Sequence, residues 1–338
     1  MLSNDKTELS VMIDMLIALT ALAFAAVYYY GLRAAVTVAI SVAVCCAADF
    51  ICLKLRKKDF VPGDISAAIT GLTLGLMMSA SAPYYCVVLA AVFAVAAAKH
   101  PFGGRGCEIF SPAAAGYLFA ELCFPEGMLA YPKPFADIPM TSVVPESVVG
   151  QSMTKAFITA EASSVAYIDI ITGNFSGPMG AGFVLLLAVA AVFLMCRRSV
   201  SAIAFFAELL AAGLAAFIHY GFKLLPLMYF FSGGMFIFGA LFLSCGADIV
   251  PKTRSSRLIY GISAGLFTAL FHFYAHAENA VVYAVIISAP LGIELDKRAL
   301  SFADMLKKRR GIFMKVSKPL GNVAETLDII NDKSENGR

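Results

Sequence analysis

The chain has 338 residues, 60% of them apolar and 14% charged, with a mean hydropathy of +0.80 and a formal net charge of +3. Soluble domains hold roughly 45–50% apolar and about 25% charged residues, so this composition excludes an ordinary soluble enzyme or a nucleic-acid binder. It predicts an all-α polytopic membrane protein.

Met1 to Ser10 carries Asp5 and Glu8 against Lys6, unlike the positive start of a cleavable signal peptide. A spanning helix needs about 20 mainly apolar residues, roughly 17–25. That measure predicts segments over 10–31, 33–52, 64–81, 83–99, 110–124, 178–196, 199–219, 225–245, 257–273 and 279–296. Ten spans put both termini on one side. One set of connections then holds eleven cations: Lys54, Arg56, Lys57, Lys58, Lys99, Arg105, Arg197, Arg198, Lys252, Arg254 and Arg257. The other set holds only Arg33, Lys133, Lys155 and Lys223, although it includes the longest loop. Lys6 and ten further Lys or Arg from Lys297 onward join the rich side. By the positive-inside rule both termini are cytoplasmic and residues 125–177 form an extracytoplasmic loop. The predicted organisation is a first membrane half over 1–124, that loop, a second half over 178–298, and a basic cytoplasmic tail over 299–338. The run Lys307-Lys308-Arg309-Arg310 in the tail fixes topology and suits anionic lipid or another subunit.

The stretch from Lys99 to Ala113 interrupts this apolar pattern. It holds Gly103, Gly104 and Gly106, two prolines, and the polar groups of Lys99, His100, Arg105 and Glu108. Hydrocarbon cannot satisfy the backbone groups such a segment leaves free, so it must be packed in protein or line a polar cavity. Asp14, Asp49, Glu121, Glu208, His219 and His272 fall within or near the spans. Each must face the interior or a polar cavity. Glu208 is the most central and is the candidate for ion coupling; its bland alternative is a protonated or hydrogen-bonded carboxyl at a helix contact. The eight cysteines form no CxxC pair and lie mostly in apolar runs, which favours buried thiols over a cysteine-ligated metal. The two halves share punctuation: Pro62-Gly63-Asp64, Gly71, Gly75 and Pro83 in one, Ser232-Gly233-Gly234, Gly239, Gly246 and Pro251 in the other. Interruptions at matching positions point to a site between inverted repeats.

The loop resembles a signature of one family, the D-type component of the Rnf electron-transport complex and its relative, the B-type component of the sodium-pumping NADH:quinone reductase. That signature reads roughly K-x-x-Y-G-G-x-G-x-N-x-F-N-P-A. Lys99, Gly103, Gly104, Gly106, Phe110, Pro112 and Ala113 match it. Further resemblances follow in order: Asp64 to Leu76, Gly173-Asn174-Phe175-Ser176-Gly177-Pro178-Met179-Gly180, Ser232 to Ala240, Arg257 to Gly261, and Val281 to Leu291. Two departures are visible, Ala181 where many members carry glutamate and Cys245-Gly246-Ala247 in place of a T-D-P element.

The resemblance implies an inverted five-plus-five helical repeat, similar in outline to urea channels, that binds flavin. It implies FMN joined by a phosphoester to a threonine closing an S-x-A-T-type motif, here Ser152-Met153-Thr154 with Lys155 after it. Thr154 is the candidate attachment residue and Lys155 could neutralise the phosphate, with Thr141, Ser142, Ser152 and Thr159 as nearby alternatives. The glycines at 103, 104 and 106 allow close backbone approach, and Arg105 could face a phosphate or a second flavin. A second, non-covalent flavin (riboflavin in the family) is expected near Asp64, Asn174 and Gly233–Gly234. The implied role is the D-type membrane component of an Rnf-like complex in the cytoplasmic membrane. It would carry electrons between ferredoxin and NAD while the assembly moves Na+ or H+. The implied partners are the other Rnf-type subunits, with a second flavinylated protein among them, and a flavin transferase for maturation. Alternatives are a flavinylated protein for extracellular electron transfer without pumping, or a urea-channel-like solute transporter.

Overall fold

A computed structural model describes residues 8–57, 64–104, 106, 108–140, 144–150, 152, 169, 172–246 and 249–316. These residues are almost entirely helical. Helix α1, Glu8–Leu55, covers both of the first two predicted segments and is broken at Gly31, whose φ of 70° and ψ of −159° lie outside the helical region. A side chain there would be strained by the positive φ, so glycine is what lets the chain break at this point. The runs on either side are each about 35 Å long at 1.5 Å per residue, one membrane thickness apiece.

Helix α2, Ser66–Met77, stops well short of the predicted 64–81, and Met78 leaves it with an extended backbone. Pro83 then opens α3, Tyr84–Phe93, which widens into a π-helical turn over Ala94–Lys99. Helices α4, Pro112–Cys123, and α5, Pro125–Met128, each begin on a proline, which suits the first turn because its missing N–H would be unpaired there anyway. The one described sheet is a two-residue antiparallel ladder of β1, Tyr131–Pro132, with β2, Val149–Gly150. Helix α6, Val184–Cys196, again begins later than the predicted 178–196. Next come α7, Ala202–His219, then α8, Leu224–Ser232, and α9, Phe236–Gly239, which continues as a second π-helical turn over Ala240–Ser244. Helices α10, Arg254–Tyr274, and α11, Ala280–Val316, complete the described chain. The described residues up to Ile293 belong to one compact unit, and those from Glu294 onward, with the basic run of the tail, to a second.

Among the described residues, α1 and α7 are long and apolar enough to cross a membrane. Pro226–Ser232 and Phe236–Ser244, bent by 50° to each other, are long and apolar enough only when taken together. The predicted third and sixth segments are partly non-helical because an apolar run counts residues, whereas Pro83, Gly177, Pro178, Gly180 and Gly182 decide where a helix can continue. Their free backbone groups pair with each other: Met179 N–H donates to Met78 O at 3.1 Å and Gly180 N–H to Leu76 O at 2.7 Å. A Cβ on Gly180 would come within 2.8 Å of Leu76 and 3.1 Å of Phe238. The end of α2, the turn at 178–181, closed by Ala181 N–H to Pro178 O at 3.1 Å, and the start of α9 therefore meet, and irregular backbone is tolerated because protein surrounds it.

Small residues set how closely the helices approach. A Cβ on Gly71 would lie 2.6 Å from Val42 Cα, and one on Gly261 would collide with the Ala204 carbonyl, so α2 rides against α1 and α10 against α7 backbone to backbone.

Candidate cofactor and ion sites

Two sets of contacts gather at different places along these helices. Around the break of α1, Phe135 N–H donates to Tyr29 O at 2.8 Å and Tyr29 Oη to Thr172 O at 2.8 Å. The buried Arg33 donates to Pro139 O at 2.5 Å and to Ser81 O at 3.2 Å. Tyr84 Oη donates to Met140 O, and the hydroxyls of Ser79 and Ser81 to Ala130 O. The described parts of 128–140 and 172–177 thus lie against the α1 break, the end of α2 and the start of α3. Beyond the opposite ends of α1 sit the cations. Lys99 Nζ donates to Asp49 Oδ1 at 3.0 Å and to Ser66 Oγ at 2.8 Å, and His100 Nε2 is also 3.0 Å from Asp49 Oδ1. Arg56 reaches the carbonyl of His100. Asp14 is held by Arg197 Nη2 at 2.8 Å and by the Ser199 hydroxyl at 2.5 Å.

The glycine-rich loop starts from this Lys99 anchor. Gly104 N–H donates to Lys99 O at 3.2 Å and Gly103 N–H to His100 O at 3.1 Å. Gly103, Gly104 and Gly106 all have positive φ, at 127°, 92° and 77°. Among the described residues a Cβ on Gly104 or Gly106 would meet nothing within 4 Å, so those two glycines are needed for backbone conformation. Phe102 and Phe110 close the loop edge to face at 5.4 Å. Burial lowers the His100 pKa from its ordinary value against the pull of Asp49. Arg105, the residue expected to face a phosphate, lies outside the described residues.

Thr154 and Lys155 also lie outside the described residues. The chain leading to them is anchored: Gly150 pairs with Tyr131, a Cβ on Gly150 would collide with Ser176 Oγ, and Ser152 is buried. Asn174 is exposed, bonded through its backbone and side chain to Asp169 at 2.8 and 3.2 Å.

The four residues expected around a non-covalent flavin each have their own hydrogen-bonding surroundings. Asp64 accepts from Ser66 N–H at 3.0 Å at the Lys99 end of α2. Asn174 follows Thr172, which Tyr29 holds beside the α1 break. Ser66 and the α1 break are separated by the length of α1 beyond Gly31, about 27 Å from Gly31 to Asp49. Gly233 and Gly234 lie in the bend between α8 and α9, where Gly233 N–H donates to Tyr229 O at 2.7 Å and Gly234 has a φ of 57°.

Glu208 on α7 is fully buried, and its Oε2 accepts from Ser244 Oγ at 2.5 Å. Ser244 ends the π-helical turn, the kind of local widening that recurs at functional sites. Of the other expected intramembrane groups, His219 stacks on Phe273 at 4.1 Å and His272 meets Phe230 edge to face at 4.9 Å.

One cluster is not foreseen from the sequence. Asn279 Nδ2 donates to Tyr117 Oη at 2.7 Å, to Tyr131 Oη at 3.2 Å and toward Glu121 Oε2 at 3.4 Å, while Tyr283 Oη donates to Glu121 Oε1 at 3.3 Å. Tyr117 and Glu121 are spaced i,i+4 on α4, as are Asn279 and Tyr283 around the start of α11. That spacing puts two polar groups on one face of each apolar segment, the signal that could have revealed the cluster.

Comparison with known proteins bears on all of these groups. The model of the NQR2, RnfD, RnfE family matches residues 2–293. The D component of the Na(+)-translocating ferredoxin:NAD(+) oxidoreductase complex of Acetobacterium woodii is 28% identical over 313 residues, covering 88% of this chain and 92% of that protein. The D component of the Proton-translocating ferredoxin:NAD(+) oxidoreductase complex of Clostridium ljungdahlii is 24% identical over 87% of this chain and 90% of its own. The D component of the Ion-translocating oxidoreductase complex of Methanosarcina acetivorans is 26% identical over 81% of this chain and 84% of its own. A match that takes in both halves, the loop between them and every motif above is decisive: the chain belongs to the NQR2, RnfD, RnfE family.

Proposed function

We propose that this chain is the D-type membrane component of an Rnf-like ion-translocating ferredoxin:NAD oxidoreductase, holding FMN through a phosphoester on Thr154. The observation that carries this reading is the family match over residues 2–293, together with relatives named as D components of such complexes. The chain spans the cytoplasmic membrane ten times with both termini inside, α1 supplying two spans about its break at Gly31. The separation of the 128–177 contacts from the Lys99–Asp49 and Arg197–Asp14 pairs supports that sidedness, because the cation-rich ends then face the cytoplasm.

Within this reading each residue has a defined task. The Thr154 hydroxyl is the attachment point, and Lys155 neutralises the phosphate beside it. The Tyr131–Gly150 pairing and buried Ser152 hold the approach to Thr154 against the outer ends of α2 and α3, within reach of a flavin transferase. The loop at Gly103, Gly104 and Gly106 offers glycine backbone near Arg105 on the other side. A bound flavin supplies one-electron exchange, and the chain supplies position and surroundings. A second, non-covalent flavin near Asp64, Asn174 and Gly233–Gly234 belongs to the proposal. The other Rnf-type subunits, including a second flavinylated one, are the electron partners.

The test is ultraviolet fluorescence of the denatured band after co-expression with a flavin transferase, wild type against Thr154→Val. Fluorescence in wild type and its loss in the variant is the expected outcome. A wild-type band without fluorescence would sink the covalent flavin and leave the transporter-like reading standing.

A further inference from the structure

Glu208 is a buried carboxylate whose surroundings supply almost nothing to hold a negative charge. Helix α10 presses on it with no side chain between, since a Cβ on Gly265 would come within 2.5 Å of the Glu208 carbonyl. Among the described residues the side chain has a single hydrogen bond, from Ser244, and its second oxygen, Oε1, has no partner. Tyr260 on α10 is also fully buried, and its hydroxyl faces those of Ser244 and Ser288. Cys245 from the end of the π-helical turn and Ser288 from α11 complete the buried polar groups here, and both are fully enclosed. Among the described residues, no lysine, arginine or histidine pairs with Glu208. The nearest cation along α10, Arg257, spends its guanidinium on the carbonyls of Pro251 and Lys252.

An ionised carboxylate with one hydroxyl donor in a dry interior is strongly disfavoured, so something positive must neutralise it. An alkali cation would need a shell of several oxygens. Oε2 accepts the Ser244 hydrogen, and among the described residues no oxygen stands in hydrogen-bonding contact with Oε1. Oε1 therefore lacks the companion oxygens that a metal ion would need, whereas a proton needs none.

We propose that Glu208, Ser244 and Tyr260 form an occluded proton-binding site, in which Glu208 is a neutral carboxylic acid carrying an exchangeable proton on Oε1. Binding adds one proton to the carboxylate, with Oε2 still accepting from Ser244, and release returns the proton to water when α7 and α10 part. The geometry alone carries the protonation; its use in ion coupling rests on the function proposed above. The relatives are named for both Na+ and proton transport, so family membership does not decide between these ions.

The experiment is infrared spectroscopy of the whole complex in lipid at neutral pH. Wild type, Glu208→Gln and Ser244→Ala are compared in H2O and D2O, with NaCl or choline chloride. The expected result is a carboxylic-acid C=O band in wild type that moves in D2O, disappears in Glu208→Gln, shifts in Ser244→Ala and ignores sodium. Identical carboxylic-acid regions in wild type and both variants would show Glu208 ionised and overturn the site. Loss of the band on adding NaCl would make it a sodium site instead, and a band that D2O does not move would remove exchangeability. Should Glu208→Gln fail to assemble, the shift in Ser244→Ala decides alone. Flavin fluorescence from the same wild-type sample separates the two failures. A fluorescent protein without the band loses only the proton site, whereas a band without fluorescence loses only the covalent flavin.

Discussion

Asp49 and Glu208 are both carboxylates deep in the helical unit, and they have been neutralised in opposite ways. Asp49 on α1 meets the Lys99 ammonium and the His100 ring, each 3.0 Å from the same oxygen. Lys99, only 1% exposed, spends a further donor on Ser66. That arrangement is closed: each partner exists to cancel another, and the glycine-rich loop is hung from it. Glu208 has a hydroxyl and, among the described residues, no cation. A charge pair that is fully satisfied fixes a structure, whereas a carboxyl left to find its own counter-charge can change state. Position in the sequence did not separate the two; the company each keeps does.

The sharpest way to break this comparison is Asp49→Ala. It strands the Lys99 ammonium in a buried place, and removing one member of a buried pair costs about 3–5 kcal/mol. The expected result is a large fall in thermal stability in detergent, read by size-exclusion chromatography after heating. The double variant Asp49→Leu with Lys99→Met should recover most of that loss, because it removes both charges together. Recovery would show that the pair acts through its charge. Failure to recover would mean that Lys99 has a further partner in the loop on which folding depends.

Gly265→Val is the next largest. Its Cβ would meet the Glu208 carbonyl at 2.5 Å and Ala211 Cβ at 3.0 Å, so α10 must move off α7. Overpacking of this kind costs about 1–3 kcal/mol. The movement also opens the path to Glu208, so hydrogen–deuterium exchange of the α7 amides around Glu208 should quicken relative to wild type. Unchanged exchange with unchanged stability would show that the α7–α10 contact is looser than the structure has it.

Much of this architecture was legible in the chain. The apolar runs gave the helices, and the break between the first two fell at Gly31 because glycine sits where the periodic pattern is interrupted. Sorting the cations by connection anticipated that Lys99 and Arg56 would gather away from Lys133, which pairs by backbone with Val148 in the long loop. Glu208 stood out as an ionisable residue in an apolar helix. What could not be read were the partners. Asp14 and Arg197 are 183 positions apart, and nothing local in either helix announces the other. The two π-helical turns were equally hidden, since Ala94–Lys99 and Ala240–Ser244 have sequences that an α-helix would accept. The non-helical Met78–Ala82 and 178–183 read as helix because apolar composition does not report hydrogen bonding. The flavin positions were legible only through family motifs.

The smallest expected effect separates the paired carboxylate from its two partners. His100 is the group of this anchor whose ordinary pKa lies near neutrality. Burial holds the His100 pKa below the ordinary imidazole value despite Asp49. The folded protein therefore binds a proton there less readily than the unfolded chain does. Stability from this group is complete above the unfolded pKa of about 6.5 and is lost as pH falls through that value toward the lowered one. Melting followed between pH about 7 and about 5 should fall more steeply for wild type than for His100→Gln, which has nothing to titrate. Parallel curves would mean that Asp49 accommodates the imidazolium without cost, and the anchor would then resemble Glu208 in tolerating two protonation states.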